Sequence, residues 1–96
     1  MAIRSFSDKA TEEFFFTGRL KGNVGWRGIS ASAKRKLDML HYATELCDLR
    51  TPPGNRLEAL KGDLKGYHSI RVNDQWRVVF RWTVPGAEEV RVTDYH

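Results

Sequence analysis

The stretch "HSIRVNDQWRVVFRWT" (68–83) decides the fold, because polar and apolar side chains alternate through two runs separated by a short polar turn. In the first run, Ile70 and Val72 share one side and Ser69, Arg71 and Asn73 share the other. In the second run, four large apolar residues share one side: Trp76, Val78, Phe80 and Trp82. Alternation with a period of two is typical of strands with one buried face. The stretch therefore predicts an antiparallel hairpin with one apolar and one polar face.

Three further segments extend this hairpin into a small sheet. The run "EVRVTDYH" (89–96) follows the turn "VPGAE" (84–88) and alternates again, with Val90 and Val92 directed inward. The run "RLEALKG" (56–62) predicts a strand before the hairpin, and "AIRSF" (2–6) predicts a short strand near the start of the chain.

Two helices are predicted before the sheet. Ser7 is the expected N-cap of a helix from Asp8 to about Phe16. A second helix is expected over 30–49, capped by Ser30 or Ser32 and ended by the prolines at 52 and 53. Its apolar face contains Ala33, Leu37, Leu40, Ala43 or Thr44, and Cys47. The predicted fold class is α+β, with both helices packed on one face of the sheet.

Length, charge and cysteine content limit the possible functions. The chain has 96 residues, 41% of them hydrophobic, so we expect one folded domain over 1–96. A net charge of +4 favours a polyanionic partner. Cys47 is the only cysteine, which excludes an internal disulfide and favours a reducing compartment. Because no apolar run reaches signal-peptide or transmembrane length, we expect a cytoplasmic protein with no membrane partner.

The polar face of the predicted sheet is unusually basic. The residues with the same parity are Arg71, Asn73, Arg77, Arg81, Arg91 and Tyr95. Like charges on neighbouring strands repel each other, so this face is either an anion-binding surface or a solvated face neutralised by acids. The acids available for that second interpretation are Glu58, Asp74 and Glu89.

Three segments of the chain are similar to a known protein family. They are "LRTPPGNRLEALKG" (49–62), "HSIRVNDQWRVVF" (68–80) and the terminal "DYH" (94–96). The chain closely resembles HigB-type toxins of the RelE/ParE superfamily from Ile3 to His96. The resemblance implies a RelE/ParE-like fold with a curved, mainly antiparallel sheet. It also implies a ribosome-dependent endoribonuclease that cuts mRNA in the ribosomal A site. The implied partners are a HigA-type helix-turn-helix antitoxin, the ribosome and mRNA, with operator DNA bound only through the antitoxin complex.

Metal-independent RNA cleavage needs a base for the 2′-OH, an acid for the departing oxygen, and cations for the phosphate. The resemblance assigns acid–base work to His96, supported by Asp94 and Tyr95; the alternative is a frayed terminus without function. The residues expected to be catalytic are His96, Arg77, Asp94, Tyr95, Glu58, Lys61 and His68. Those expected to bind RNA or phosphate are Arg71, Arg56, Arg81 and Asn73. We expect no metal ion and no cofactor.

Several of these assignments leave alternatives open. Glu58 stands where related toxins can carry a histidine, which leaves the choice between acid and base open. His68 has the parity of Ile70, so it is either a second acid–base group or an imidazole packed at the edge of the core. Strict alternation also places Tyr95 on the face of Arg77, and Asp94 and His96 on the opposite face. We assign no role to His41, as a helix-surface residue, or to Cys47, as buried filler.

Basic residues outside the sheet are candidates for docking on ribosomal RNA, and ordinary solvated charge is the alternative. They are Lys34, Arg35, Lys36, Arg19, Lys21 and Arg27. Two other functions compete with the enzyme: a non-catalytic ParE-like toxin that inhibits DNA gyrase, and a plain RNA-binding protein. The terminal acid–Tyr–His cluster favours the enzyme, because a pure inhibitor needs no acid–base groups.

Overall fold

The computed structural model describes residues 2–22, 24–83 and 86–94. Two helices, α1 (Lys9–Thr17) and α2 (Ser30–Tyr42), precede four strands in the chain. The strands are β1 (Glu58–Ala59), β2 (Tyr67–Arg71), β3 (Trp76–Trp82) and β4 (Ala87–Asp94). They form one antiparallel sheet in the order β1-β2-β3-β4, which confirms the α+β class.

The core forms where the two helices meet the apolar face of the sheet. Helix α1 packs on β4, and α2 packs on β3 and β4. Leu37 and Leu40 of α2 are fully buried together with Ile70, Val78 and Phe80 of the central strands. Each such side chain contributes roughly 1.5–3 kcal/mol through its removal from water. The alternation in 68–83 therefore identified the buried face correctly.

The N-terminal segment does not form the predicted strand at 2–6. It makes two isolated parallel bridges to β4, from Ile3 to Ala87 and from Phe6 to Val90. A Cβ on Gly86 would lie 2.2 Å from the carbonyl oxygen of Ala2, so only glycine allows the two segments to approach this closely. The predicted strand at 56–62 is also shorter than expected, since only Glu58 and Ala59 pair with β2.

Both predicted helix starts need correction. Asp8, not Ser7, caps α1, because its carboxylate accepts a hydrogen bond of 2.6 Å from the Thr11 backbone N–H. Helix α2 continues from a short 3₁₀ turn (Arg27–Ile29), so neither Ser30 nor Ser32 caps it with a side-chain hydrogen bond.

Helix α2 also ends at Tyr42, seven residues before the predicted end at 49. Ala43 is extended, and the Asp48 carboxylate accepts hydrogen bonds of 3.0 Å from the backbone N–H groups of Thr44 and Glu45. A separate 3₁₀ turn, Leu46–Arg50, then begins. Because the chain leaves the helix here, Cys47 is exposed and the prediction of a buried thiol is wrong.

His41 lies inside the protein, which corrects its assignment to the helix surface. Its ring is 7% exposed and packs edge-on against Phe15, with 5.0 Å between ring centroids. Burial lowers the pKa of the imidazole below its ordinary value. Within the described ranges, neither helix is long and apolar enough to cross a membrane.

Candidate active site

Arg77 lies near the start of β3 on the polar face of the sheet, and its side chain is only 13% exposed. Its Nε donates a hydrogen bond of 2.7 Å to Ser69 Oγ on β2. One terminal nitrogen, Nη2, donates another of 2.7 Å to the backbone carbonyl of Arg56. These two bonds hold the guanidinium plane in one orientation. A planar, permanently charged fork of this kind matches the oxygens of a phosphate.

The loop that carries Arg56 is fastened by a buried asparagine. Asn55 is fully buried, and its Nδ2 donates to the carbonyl oxygens of Leu49 (3.2 Å) and Thr51 (3.4 Å). Its Oδ1 accepts a short hydrogen bond from Lys36 Nζ on α2. Arg56 follows with φ of 45°, in the left-handed region, where its carbonyl accepts from Arg77. The loop therefore helps to position the Arg77 guanidinium.

Glu58 is the acid beside this arginine. It pairs with Ser69 in the register of β1 and β2, and its Oε2 lies 4.0 Å from Arg77 Nη2. Its side chain is 52% exposed, so the carboxylate is accessible from solvent. The structure thus brings together two of the predicted catalytic residues, Glu58 and Arg77. A cation and an accessible carboxylate are the groups needed to bind a phosphate and accept a proton near it.

Positive charge extends from Arg77 toward the end of β2. Arg71 is its register partner and forms an ion pair with Asp74 in the following turn. Lys36 lies near this end of the sheet, and its pKa is lowered by burial, then by the positive charges of Arg35 and Arg71. Positive charges therefore act on one another at this end of the sheet, although Arg71 is paired with Asp74 and Lys36 is bound to Asn55.

Two predicted RNA-binding residues lie outside this cluster. Arg81 is four residues further along β3, about 13 Å away for an extended strand. It forms ion pairs with Glu88 (2.8 Å) and Glu89 (3.3 Å). The side-chain oxygen of Asn73 accepts hydrogen bonds from the backbone N–H groups of Gln75 (2.8 Å) and Trp76 (2.7 Å), which closes the turn between β2 and β3.

The predicted terminal site is described only at Asp94, since Tyr95 and His96 lie outside the described residues. Asp94 pairs with Trp76 in the register, directly after the pair formed by Arg77 and Thr93. Its carboxylate accepts a hydrogen bond of 2.9 Å from Gln75 Nε2. The strand that leads to the chain end therefore runs beside Arg77.

Within the described range 24–83, neither His68 nor Lys61 forms a hydrogen bond or an ion pair with Arg77, Glu58 or Ser69. His68 lies on the opposite face of β2 and stacks on Phe80, with 6.2 Å between ring centroids. The core-edge interpretation of His68 is therefore the one observed. Lys61 is exposed directly after β1, at the start of the 3₁₀ turn Gly62–Leu64.

Among the described residues, one group has side chains spaced closely enough to hold a metal ion: Glu45, Cys47 and Asp48, all exposed. This group is on the segment after α2, away from Arg77 in the chain. Asp48 already caps backbone N–H groups there. Its carboxylate therefore has a structural role in the fold.

Comparisons with known proteins identify the family of this chain. The family model described as "RelE-like toxin of type II toxin-antitoxin system HigB" matches residues 4–96. The chain belongs to the HigB-like toxin family. It is 44% identical over 77 residues to Toxin HigB-1 of Vibrio cholerae, covering 80% of each chain. It is 33% identical over 94 residues to Endoribonuclease HigB of Proteus vulgaris, covering 98% of this chain and 99% of the relative.

Solved structures share the fold of this HigB-like toxin at lower identity. The YoeB/ParE toxin from Agrobacterium tumefaciens has a TM-score of 0.56 at 22% identity, with both chains fully covered. The YoeB–YefM complex from Staphylococcus aureus gives 0.57 at 21% identity, covering 100% of this chain and 97% of that one.

The predicted docking residues of this HigB-like toxin are partly engaged within the fold. Lys34 Nζ forms an ion pair of 2.6 Å with Asp38 and lies 5.1 Å from the centre of the Phe15 ring. Lys36 is bound to Asn55, and Lys21 pairs with Glu13 at 2.9 Å. Arg27 donates to the carbonyls of Leu20 and Gly22. Arg19 and Arg35 are exposed, and neither has a recorded ion pair with a described acid.

Sequence reasoning gave no role to Ser69 or Asn55. Ser69 shares the parity of Arg71, a signal that places it on the polar face. Its contact with Arg77 depends on the strand register, which alternation alone does not specify. Asn55 is a turn residue by sequence, and nothing in "PPGN" (52–55) indicates that its amide is buried.

Proposed function

We propose that this toxin is an endoribonuclease that cleaves RNA at a phosphate bound by Arg77. The observation that carries the proposal is the guanidinium held by Ser69 and the Arg56 carbonyl, with the accessible Glu58 carboxylate 4.0 Å away. A cation fixed before the reaction stabilises phosphoryl charge without having to reorganise. Family membership and a relative named as an endoribonuclease support the same activity.

The proposed reaction is attack by a ribose 2′-oxygen on the adjacent phosphorus. One bond forms from the 2′-oxygen to phosphorus, and the bond from phosphorus to the 5′-oxygen breaks. The 2′-OH proton passes to a general base, and a general acid protonates the departing 5′-oxygen. The products are a 2′,3′-cyclic phosphate and a 5′-hydroxyl. The reaction uses the substrate's own hydroxyl, so we propose that it needs no metal ion and that residual cleavage of free RNA persists in EDTA.

Glu58 is the proposed base, because its carboxylate is accessible and lies beside the phosphate-binding arginine. His96 is the proposed acid, with Asp94 orienting it and Tyr95 stacking on a base or donating to phosphate. Arg71 and Lys61 are proposed additional cations for the RNA backbone. We assign His68 no step in this reaction, because its ring stacks on Phe80 and bonds to neither Arg77 nor Glu58.

We further propose that the toxin acts on mRNA in the ribosomal A site and therefore works in the cytoplasm. Exposed Arg19 and Arg35 are the best candidates for ribosome contact, because neither is neutralised by a described acid. A HigA-type helix-turn-helix antitoxin is the proposed inhibitor, and operator DNA is bound only through that complex. A toxin with the same fold, YoeB of Staphylococcus aureus, has been solved in complex with its antitoxin YefM, which supports a protein inhibitor for this toxin.

The test is a map of mRNA 5′ ends after brief induction of wild type, Arg77→Ala, His96→Gln and Arg4→Ala. Wild type and Arg4→Ala are expected to give new 5′-hydroxyl ends within coding regions and to arrest growth. Arg77→Ala and His96→Gln should lose the ends and the arrest, with cleavage reduced by roughly 10²-fold or more. Arg4 is a matched control because it is exposed and has no recorded side-chain hydrogen bond. Full toxicity of both site variants, with intact mRNA, would contradict the proposal.

A further inference from the structure

A cavity lies on the opposite face of the edge strand β1 from Arg77. It has a volume of about 320 Å³ and is lined by Leu46, Cys47, Arg50, Leu57, Ala59 and His68. This volume is near the lower end of the roughly 300–1,000 Å³ typical of small-ligand sites. The cavity is separate from the Arg77 cluster, since none of its lining residues bonds to Arg77.

Successive residues from 56 to 59 contact the Arg77 cluster and the cavity in turn. Arg56 and Glu58 face Arg77, through a carbonyl hydrogen bond and a nearby carboxylate. Leu57 and Ala59 line the cavity. The register repeats this division on β2, where Ser69 pairs with Glu58 and His68 pairs with Ala59. Glu58 and Ala59 are neighbours in the chain, so the two sites lie on opposite faces of one short strand.

The cavity walls combine flat, apolar and cationic groups. The His68 ring has one side against Phe80, at an interplanar angle of 22°, and the same side chain lines the cavity. Leu46, Leu57 and Ala59 contribute apolar contact. Arg50 is exposed, and its guanidinium has no hydrogen bond or ion pair recorded with any described residue. Unstacked RNA bases bind to such sites through stacking on flat side chains and hydrogen bonds from arginine.

We infer that this cavity binds the base of an RNA nucleotide next to the cleaved phosphate, with Arg50 and His68 as its recognition residues. The inference rests on the proposed function and extends it. It assigns the preference for a particular RNA sequence to the cavity, and cleavage to the Arg77 site. Arg50 contacts the base edge or the following phosphate, and the apolar wall excludes water from one side of the base.

Cys47 provides a direct measure of occupancy, because it lines the cavity and is the only thiol in the chain. The rate of alkylation by iodoacetamide is measured with and without a trinucleotide in which every ribose is 2′-O-methylated. This probe cannot be cleaved, because the attacking hydroxyl is blocked. We expect several-fold protection in wild type and in Arg4→Ala. Protection should be lost in Arg50→Ala, and in Ala59→Phe, which fills the cavity without changing the charge. Unchanged melting temperatures confirm folding of each variant.

Three outcomes would overturn the inference. One is equal protection in all four proteins, and another is absence of protection in wild type. The third is equal protection by inorganic phosphate, which would make the cavity a simple anion site. Two readouts separate this inference from the proposed function: protection of Cys47 by the uncleavable probe, and cleavage of mRNA measured in the mapped 5′ ends. Protection of Cys47 without cleavage of mRNA would support base binding in the cavity and contradict the proposed nuclease activity. Cleavage of mRNA without protection would contradict base binding in the cavity alone. In mapped mRNA ends, Arg50→Ala should change the base preferred beside the cut, and Arg4→Ala should not.

Discussion

At the scale of single residues, the Arg77 site shows how a charged side chain becomes a positioned group. An arginine on an open sheet face has many accessible rotamers, and ordering them costs up to about 2 kcal/mol. Here the side chain is mostly covered, and Ser69 and Arg56 accept two of its hydrogen bonds. The entropy cost is met on folding, so the phosphate that we propose binds here would not have to meet it.

Ser69→Ala tests this positioning. The variant removes the acceptor for Arg77 Nε and leaves the charge in place. A hydrogen bond to a charged group contributes about 1.5–3 kcal/mol, so we expect cleavage to fall by roughly 10- to 100-fold. The loss should appear mainly in kcat, with KM little changed. In the Arg77→Ala background, Ser69→Ala should have almost no further effect. Additive losses would show that Ser69 acts independently of Arg77.

His41 supports a prediction about acid stability. Burial lowers its pKa in the folded state, whereas the unfolded chain has the ordinary value of about 6.5. Below that pH the unfolded state binds more protons than the folded state, so the free energy of unfolding falls as pH decreases. Above it both states are neutral, and His41 makes no pH-dependent contribution. Between pH 7.5 and 5.5, urea unfolding should show that wild type loses up to about 1 kcal/mol more than His41→Gln. Identical losses would contradict this.

At the scale of elements, sequence patterns predicted the strands better than the helix ends. Alternation over 68–83 identified β2, β3 and their buried face. Successive side chains of a strand point to opposite faces, so burial of one face appears directly as an alternating sequence. The helical pattern over 30–49 continued past Tyr42, since Ala43 and Cys47 fit the period. The actual end depends on two local hydrogen bonds that the Asp48 carboxylate accepts from the backbone N–H groups of Thr44 and Glu45, which compete with the helix. Partners of site residues depend on register and loop packing, which a single sequence does not specify.

Asp48→Ala tests this account of the helix end. Removing the acceptor for two backbone N–H groups should lower the free energy of unfolding by about 1 kcal/mol. Asp38→Ala is the matched control, measured above pH 7, because its carboxylate caps no backbone N–H group among the described residues and forms an ion pair with Lys34 one turn away, a contact worth about 0.3–0.5 kcal/mol. Chemical denaturation measures both. Equal effects of the two substitutions would show that Asp48 does not determine where α2 ends.

At the scale of the whole molecule, the two faces of one thin sheet have different roles. The apolar face packs on α1 and α2, and the polar face concentrates Arg77, Arg71 and Glu58. Sequence similarity indicated the family, and the parity of the arginines indicated which face of the sheet is basic. Neither indicated how far the Arg77 side chain is covered. We propose that a larger partner completes the positioning of the substrate on this face.

The ribosome is the proposed partner that supplies this positioning. Purified toxin should cleave free mRNA slowly and cleave the same mRNA in the A site of programmed ribosomes at least about tenfold faster, because the substrate is held in the reactive geometry. Toeprinting measures both rates. Arg19→Ala should lose part of the stimulation and keep its rate on free RNA, since Arg19 is exposed and forms no ion pair with a described acid. Arg4→Ala should keep both rates.

Equal cleavage with and without ribosomes would contradict ribosome dependence, and equal stimulation in all variants would place the docking surface elsewhere.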